Sequence, residues 1–177
     1  KAARNRLTYP TPAVYNLPEK NKKETYIMKI AIACDHAALK LKNDVIEKLG
    51  KEGYEVEDFG IYEQKSVDYP DYALPVAEAV ASGKADKGIL ICGTGIGMSI
   101  AANKVKGIRC ALCSDTFSAH ATREHNDANI LAFGERVVGE GLAMDIVDTF
   151  LKTPFSGDDR HVKRIAKISA IEDKYFK

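Results

Sequence analysis

This chain carries almost no excess of charge: 26 Lys and Arg stand against 25 Asp and Glu, a formal net charge of +1. A broad basic face for a polyanion is therefore not expected, and nucleic acid is not an expected partner. No stretch approaches the roughly 20 consecutive apolar residues that a bilayer-spanning helix requires. The first residues, KAARNRLTYPTPAVYNLPEKNKKETYI, also lack the apolar centre of a secretory signal. A soluble cytoplasmic protein with no membrane partner is the expectation. Cysteine is scarce as well. Cys34, Cys92, Cys110 and Cys113 lie in or at the ends of apolar runs, where reduced buried thiols are the ordinary reading and a disulfide framework is not.

Several motifs are missing too. No Gly-Lys-Ser/Thr follows a glycine turn, which excludes a P-loop. His120 and His125 are five apart, whereas the four-residue spacing of H-E-x-x-H puts two ligands on one helix face, so a zinc site is not expected. Cys110-Ala-Leu-Cys113 matches C-x-x-C, but it lies in an apparent strand, IRCALC, where odd spacing turns the two side chains to opposite faces. It reads as core.

What is present is a chain of 177 residues with 45% apolar content, enough for one domain with a proper core. Residues 1–27 hold three prolines and no sustained period. They read as an irregular extension or an expression remnant, with packing on the domain as the alternative. From Met28 onward, β-rich runs alternate with helical ones. MKIAIACD, YEVEDFG, KGILICG, GIRCALCSD and ANILAFG predict five strands, separated by helices and followed by a last helix at about Arg160 to Tyr175. GILIC and NILAF are continuously apolar, as in parallel strands covered on both faces. The pattern predicts a three-layer α/β/α, Rossmann-like fold with a five-stranded parallel sheet over residues 28–177.

Ligands of open parallel sheets bind outside the strands' carboxyl ends. There the sequence places Cys34-Asp35-His36, Cys92-Gly93-Thr94-Gly95 and Ser114-Asp115, with Arg123-Glu124-His125-Asn126 ending the helix after strand four. These groups could converge on one rim. Cys92 reads either as a small buried apolar group or as a reacting thiol. Gly93, Gly95 and Gly97 favour the second, because successive backbone N–H groups at a helix start attract anions. Asp35 and His36 could belong to the site or simply cap the next helix. A nucleotide turn is the third alternative: the register Gly93-x-Gly95-x-Gly97 lacks the spacing of G-x-G-x-x-G, although Asp115 stands at a distance suited to a ribose hydroxyl. Arg160 and Arg164 share a face of the last helix, beside Val162, Ile165, Ile168 and Ile171 as apolar contacts. They form either a solvated face or a phosphate clamp, with Arg136 a third candidate at the same rim.

Taken together, CDHAALKLK, DYPDYA, ILICGTGIGMSIAANK, REHNDANILAFGERVVG and RHVKRIAKISAIE resemble the type B ribose-5-phosphate isomerases over nearly all of residues 28–177. Related allose-6-phosphate and galactose-6-phosphate isomerases share much of the pattern. The resemblance implies metal-free aldose–ketose isomerisation of a phosphorylated sugar, D-ribose 5-phosphate to D-ribulose 5-phosphate, by a homodimer or dimer of dimers with active sites between subunits. Under it, Cys92 moves the proton between C2 and C1, Gly93 to Gly97 (including Ile96) stabilise the enediolate, and Thr94 helps protons pass between the oxygens. His125, with Asp35 nearby, assists ring opening, and Asn126 holds sugar hydroxyls. His36, Arg136, Arg160 and Arg164 bind the phosphate. Galactose-6-phosphate isomerases divide such residues between two different subunits, whereas this chain carries both the Cys92 and the His125 parts.

Overall fold

A computed structural model describes residues 26–176; of the expected extension over 1–27, all but Tyr26 and Ile27 lies outside the described residues. Five strands follow the predicted runs: β1 (Lys29–Cys34), β2 (Glu55–Asp58), β3 (Lys87–Cys92), β4 (Cys110–Leu112) and β5 (Ile130–Gly134). Every pairing is parallel and the spatial order is β2-β1-β3-β5-β4. Between and after them run α1 (Leu39–Lys51), α2 (Pro70–Ala81), α3 (Ile96–Ala102), α4 (Thr116–Asn126), α5 (Glu140–Lys152) and α6 (Asp159–Tyr175).

Period-two alternation within each central strand supplies two cores. Ile30, Ile32, Ile89, Ile91, Leu131 and Phe133 face one side, where Leu41, Val45 and Leu49 of α1 and Ile146, Val147 and Phe150 of α5 cover them. Ala31, Ala33, Leu90 and Ala132 face the other, under Val76, Ala77 and Val80 of α2 and Met98 and Ala102 of α3. All these residues are buried, so the strands read as unbroken apolar runs rather than alternating ones. Cys113 joins the first core and Cys110 packs on the second, as odd spacing along a strand requires. All four cysteines are free.

β1 is followed by a crossover to one neighbour and β3 leads toward the other, so the topological switch lies between these two central strands. Their carboxyl ends stand side by side, with Cys34 in register with Ile91. An open crevice forms at such a point because the connections leave in opposite directions.

One buried polar group braces this crevice from below. Lys42 is fully buried on the inner face of α1, and its ammonium contacts Asp58 Oδ1 and Oδ2 at 2.8 and 2.6 Å and the Ile61 carbonyl at 2.8 Å. The loop that it holds brackets the end of β1: the Cys34 N–H donates to Gly60 O at 2.8 Å and the Ile61 N–H to Cys34 O at 3.3 Å. The residue that directly follows β1 is Asp35.

Candidate active site at the carboxyl ends of β1 and β3

A cleft of about 240 Å³ opens at the switch point, bordered by Asp35, His36, Tyr69, Cys92, Thr94 and Arg136 with Gly93 and Gly97 in its floor. β3 delivers Cys92 to it with the side chain buried. Its Sγ accepts the Gly95 N–H at 3.0 Å, so the loop folds back over the sulfur. Gly95 has φ of 78°, the left-handed region. A Cβ there would lie 2.8 Å from the Phe133 backbone and 2.6 Å from Leu112 Cδ1, so conformation and space both demand glycine. Thr94 Oγ1 accepts the Ile96 N–H at 3.3 Å, and its side chain is exposed beside the thiol.

β1 delivers Asp35, which is buried. Its Oδ1 accepts the Ala37 N–H at 2.9 Å, a local turn that holds the carboxylate against the chain. Neither Asp35 nor His36 caps α1; that position belongs to Ala38, which makes no side-chain cap. His36 Nδ1 is buried without a hydrogen-bond partner. Arg136 follows β5, donates its backbone N–H to Gly93 O at 3.1 Å, and lays its guanidinium over Gly93. Tyr69, at the start of α2, was not singled out by sequence reasoning. Its ring lies where a Cβ on Gly97 would fall, 2.6 Å from Cζ, and so closes one wall of the cleft. The signals for it are its place in the DYPDYA stretch and the Tyr-Pro pair that opens a helix.

The expected convergence on one rim does not hold for His125 and Asn126. A helix that connects two parallel strands must run back against them, so α4 begins beside the carboxyl end of β4 and ends at the strands' amino ends. Its eleven residues carry His125, nine positions after Thr116, about 14 Å from that start at ~1.5 Å per residue. Arg109, just before β4, donates Nε–H to the Asn126 carbonyl at 3.0 Å, which fixes that end of the helix at the bottom of the sheet. His125 is therefore not near Asp35 within one chain.

Arg160 and Arg164 sit with His125, not with Arg136 as expected. The loop into α6 returns under α4, where the Ser156 N–H donates to Glu124 O at 3.0 Å and the His161 ring meets the His125 ring at a 40° tilt with centroids 4.5 Å apart. Both arginines are exposed, with Arg160 Nε 3.6 Å from Asp158 Oδ2. Burial, then the charges of Arg160 and of His125, hold the His161 imidazolium below its usual range. Ile168 and Ile171, expected to supply apolar contact, are exposed on α6. Asp115, the ribose partner of the nucleotide reading, is occupied as the cap of α4, accepting the Ser118 N–H at 2.7 Å and the Ser118 hydroxyl at 2.8 Å. Among the described residues, no group of three or more His, Cys, Asp or Glu side chains comes together that could hold a metal ion, and no helix is long and apolar enough to cross a membrane.

Thus one chain carries two separate polar clusters, a thiol cleft at the carboxyl ends of the strands and a histidine–arginine cluster at the amino ends. The model of the Ribose/Galactose Isomerase family matches residues 30–168, a span that includes both. The chain belongs to this family. It is 61% identical over 148 residues to a putative sugar phosphate isomerase of Bacillus subtilis, covering 83% of this chain and 99% of that protein. Ribose-5-phosphate isomerase B of Escherichia coli is 51% identical over 146 residues, 82% of this chain and 97% of that one. Among solved structures, Clostridium thermocellum ribose-5-phosphate isomerase B superposes with a TM-score of 0.82 at 60% identity, over 84% of this chain and 99% of its own. These proteins therefore match this chain along almost their whole lengths, and the sheet and both polar clusters lie within the matched region.

Proposed function

We propose that residues 28–177 form an aldose–ketose isomerase that interconverts D-ribose 5-phosphate and D-ribulose 5-phosphate through an enediolate, a step of the pentose phosphate pathway, in a reducing cytoplasm. The observation that carries this reading is the Cys92 loop: a thiol in a cleft at the switch point, folded under the backbone N–H groups of a glycine turn. Isomerisation needs a base at the carbon that loses its proton and fixed donors where the oxyanion develops. Cys92 takes the proton from C2 of the open-chain aldose and returns it to C1. The loop from Gly93 to Gly97 receives the enediolate oxygen, and Thr94 relays the proton between the two oxygens. Neither step changes the net number of protons on the substrate.

Ring opening and part of the phosphate site belong to the other cluster. His125 assists opening, Asn126 binds hydroxyls, and Arg160 and Arg164 join His36 and Arg136 on the phosphate. Because the clusters lie at opposite ends of one sheet, a five-carbon substrate can meet both only where a second copy docks. A homodimer, alone or paired into a tetramer, with each active site between subunits supports this chemistry. Exposed Ile96, Ile100, Leu112, Phe117 and Val137 on the loop, α3, β4 and α4 provide apolar surface beside the cleft for that contact.

Complementation tests the shared site. Cys92→Ala and His125→Ala homo-oligomers are each inactive, but subunits mixed from the two form hybrid dimers with one site intact and one doubly altered. By isologous symmetry, a random equimolar mixture regains about a quarter of the wild-type activity. Mixtures that stay inactive while hybrids form would place the whole site in one chain. Specificity constants for ribose 5-phosphate and allose 6-phosphate decide the sugar, and a preference for the six-carbon substrate would replace the substrate proposed here.

A further inference from the structure

The histidine cluster contains a carboxylate for which the mechanism above has no use. Glu124 Oε2 lies 3.0 Å from His125 Nε2 and 3.4 Å from His120 Nε2. His120 is anchored in turn, with Nδ1 3.3 Å from Thr153 Oγ1 at the end of α5. On its other side His125 meets the His161 ring, whose Nδ1 is 2.7 Å from Ser156 Oγ. One imidazole is thus wedged between a carboxylate and a second imidazole that is itself tied in place. Glu124 is half-exposed, and its partners His120 and His125 are the nearest groups of opposite potential charge.

Resting on the reading of His125 as the ring-opening group, we infer that Glu124 is its positioning residue: the carboxylate holds Nε2 and leaves Nδ1 to work on the sugar. In ring opening Nδ1 takes the proton of the anomeric O1–H, the C1–O4 bond breaks as the C1 carbonyl forms, and the same proton is delivered to O4. One proton moves from O1 to O4 and nothing is oxidised or reduced. Positive charge develops on the imidazole during this transfer, 3.0 Å from Glu124 Oε2, so the carboxylate stabilises the transition state more than the ground state. His120 shares the same oxygen and limits its freedom to swing away.

Two reactions of the full-length protein separate ring opening from proton transfer. Isomerisation of ribose 5-phosphate requires the furanose to open. Exchange of the C1 proton of ribulose 5-phosphate with deuterated water, followed by NMR, does not, because that ketose is open-chain: its O5 carries the phosphate and O4 could close only a four-membered ring. Glu124→Gln is expected to lower kcat/KM for ribose 5-phosphate roughly tenfold, a part of the 10²–10⁴ that a positioned acid–base group supplies, and to leave the exchange within about a factor of two. In a His125→Asn background the same substitution should have no further effect on isomerisation, as a double-mutant cycle requires of a residue acting through its neighbour. If His125→Asn leaves isomerisation intact, the reading of His125 falls and the role of Glu124 with it. If His125→Asn is impaired while Glu124→Gln is not, the positioning role alone is overturned. The same holds if Glu124→Gln slows both reactions equally, or costs as much without His125 as with it.

Discussion

Replacing Lys42 by Met keeps most of the apolar stem of a fully buried side chain and removes its ammonium group. Three short contacts disappear, two to the Asp58 carboxylate and one to the Ile61 carbonyl. The Asp58 side chain is 26% exposed, so water solvates part of the orphaned charge, and Asp58 Oδ1 still accepts the Gly60 N–H at 2.8 Å. Breaking a buried pair from one side costs ~3–5 kcal/mol, and the partial access of Asp58 to water places this case at the lower end, about 3 kcal/mol. At ~2–4 °C per kcal/mol for a domain of this size, the melting temperature should fall by roughly 6–12 °C. Thermal unfolding followed by circular dichroism at fixed protein concentration measures it, since association also shifts the midpoint. The double variant Lys42→Met/Asp58→Asn removes the uncompensated charge as well and should recover at least about half of the loss. A loss below about 1 kcal/mol in the single variant, or none recovered in the double, would refute the view that this pair anchors the loop beneath Asp35.

Cys92→Ala should leave fold and phosphate binding nearly unchanged and lower turnover on the order of 10²-fold or more, with C1 exchange of ribulose 5-phosphate lost in parallel; native exchange in that variant would return Cys92 to an inert buried residue. Arg160→Ala or Arg164→Ala should raise KM for the phosphorylated sugar roughly 10-fold or more, from ~1.5–3 kcal/mol for a charge-assisted contact. An unphosphorylated analogue should be nearly indifferent, and equal effects on both would exclude a phosphate clamp. Gly95→Ala places a Cβ 2.8 Å from the Phe133 backbone at φ of 78°, so it should abolish activity at a folded circular dichroism spectrum. Full activity would mean that the loop geometry does not matter. Burial holds the Cys34 and Cys113 thiols neutral to about 11 against 9.0 for the free group. Between those values the unfolded chain binds fewer protons, so stability present below pH 9 falls as pH rises toward 11. Cys34→Ala should flatten that part of the melting-temperature profile; an unchanged slope would reject the assignment.

Local pattern in the sequence was enough for the elements and their layers. GILIC and NILAF, apolar without alternation, imposed parallel strands covered on both sides, and the odd spacing of Cys110 and Cys113 sent them to different cores. The glycine spacing at 93, 95 and 97 marked the loop that now folds over Cys92. What the sequence could not decide was direction in space. Arg123-Glu124-His125-Asn126 follows a strand-end motif by a few residues, and only the reversal of α4 against β4 shows that it reaches the opposite edge of the sheet. Arg136 and Arg160 read as one clamp along the chain but attach to different ends of it. Lys42, one more lysine on a periodic helix, became a buried ion pair because β2 ends against α1. Tyr69 became a cleft wall because α2 starts above Gly97. Periodicity depends on neighbours a few residues apart and is therefore written in the sequence itself. Which distant side chains share a site depends on how layers stack and which way each crossover runs, and these are settled only when the whole core is buried at once.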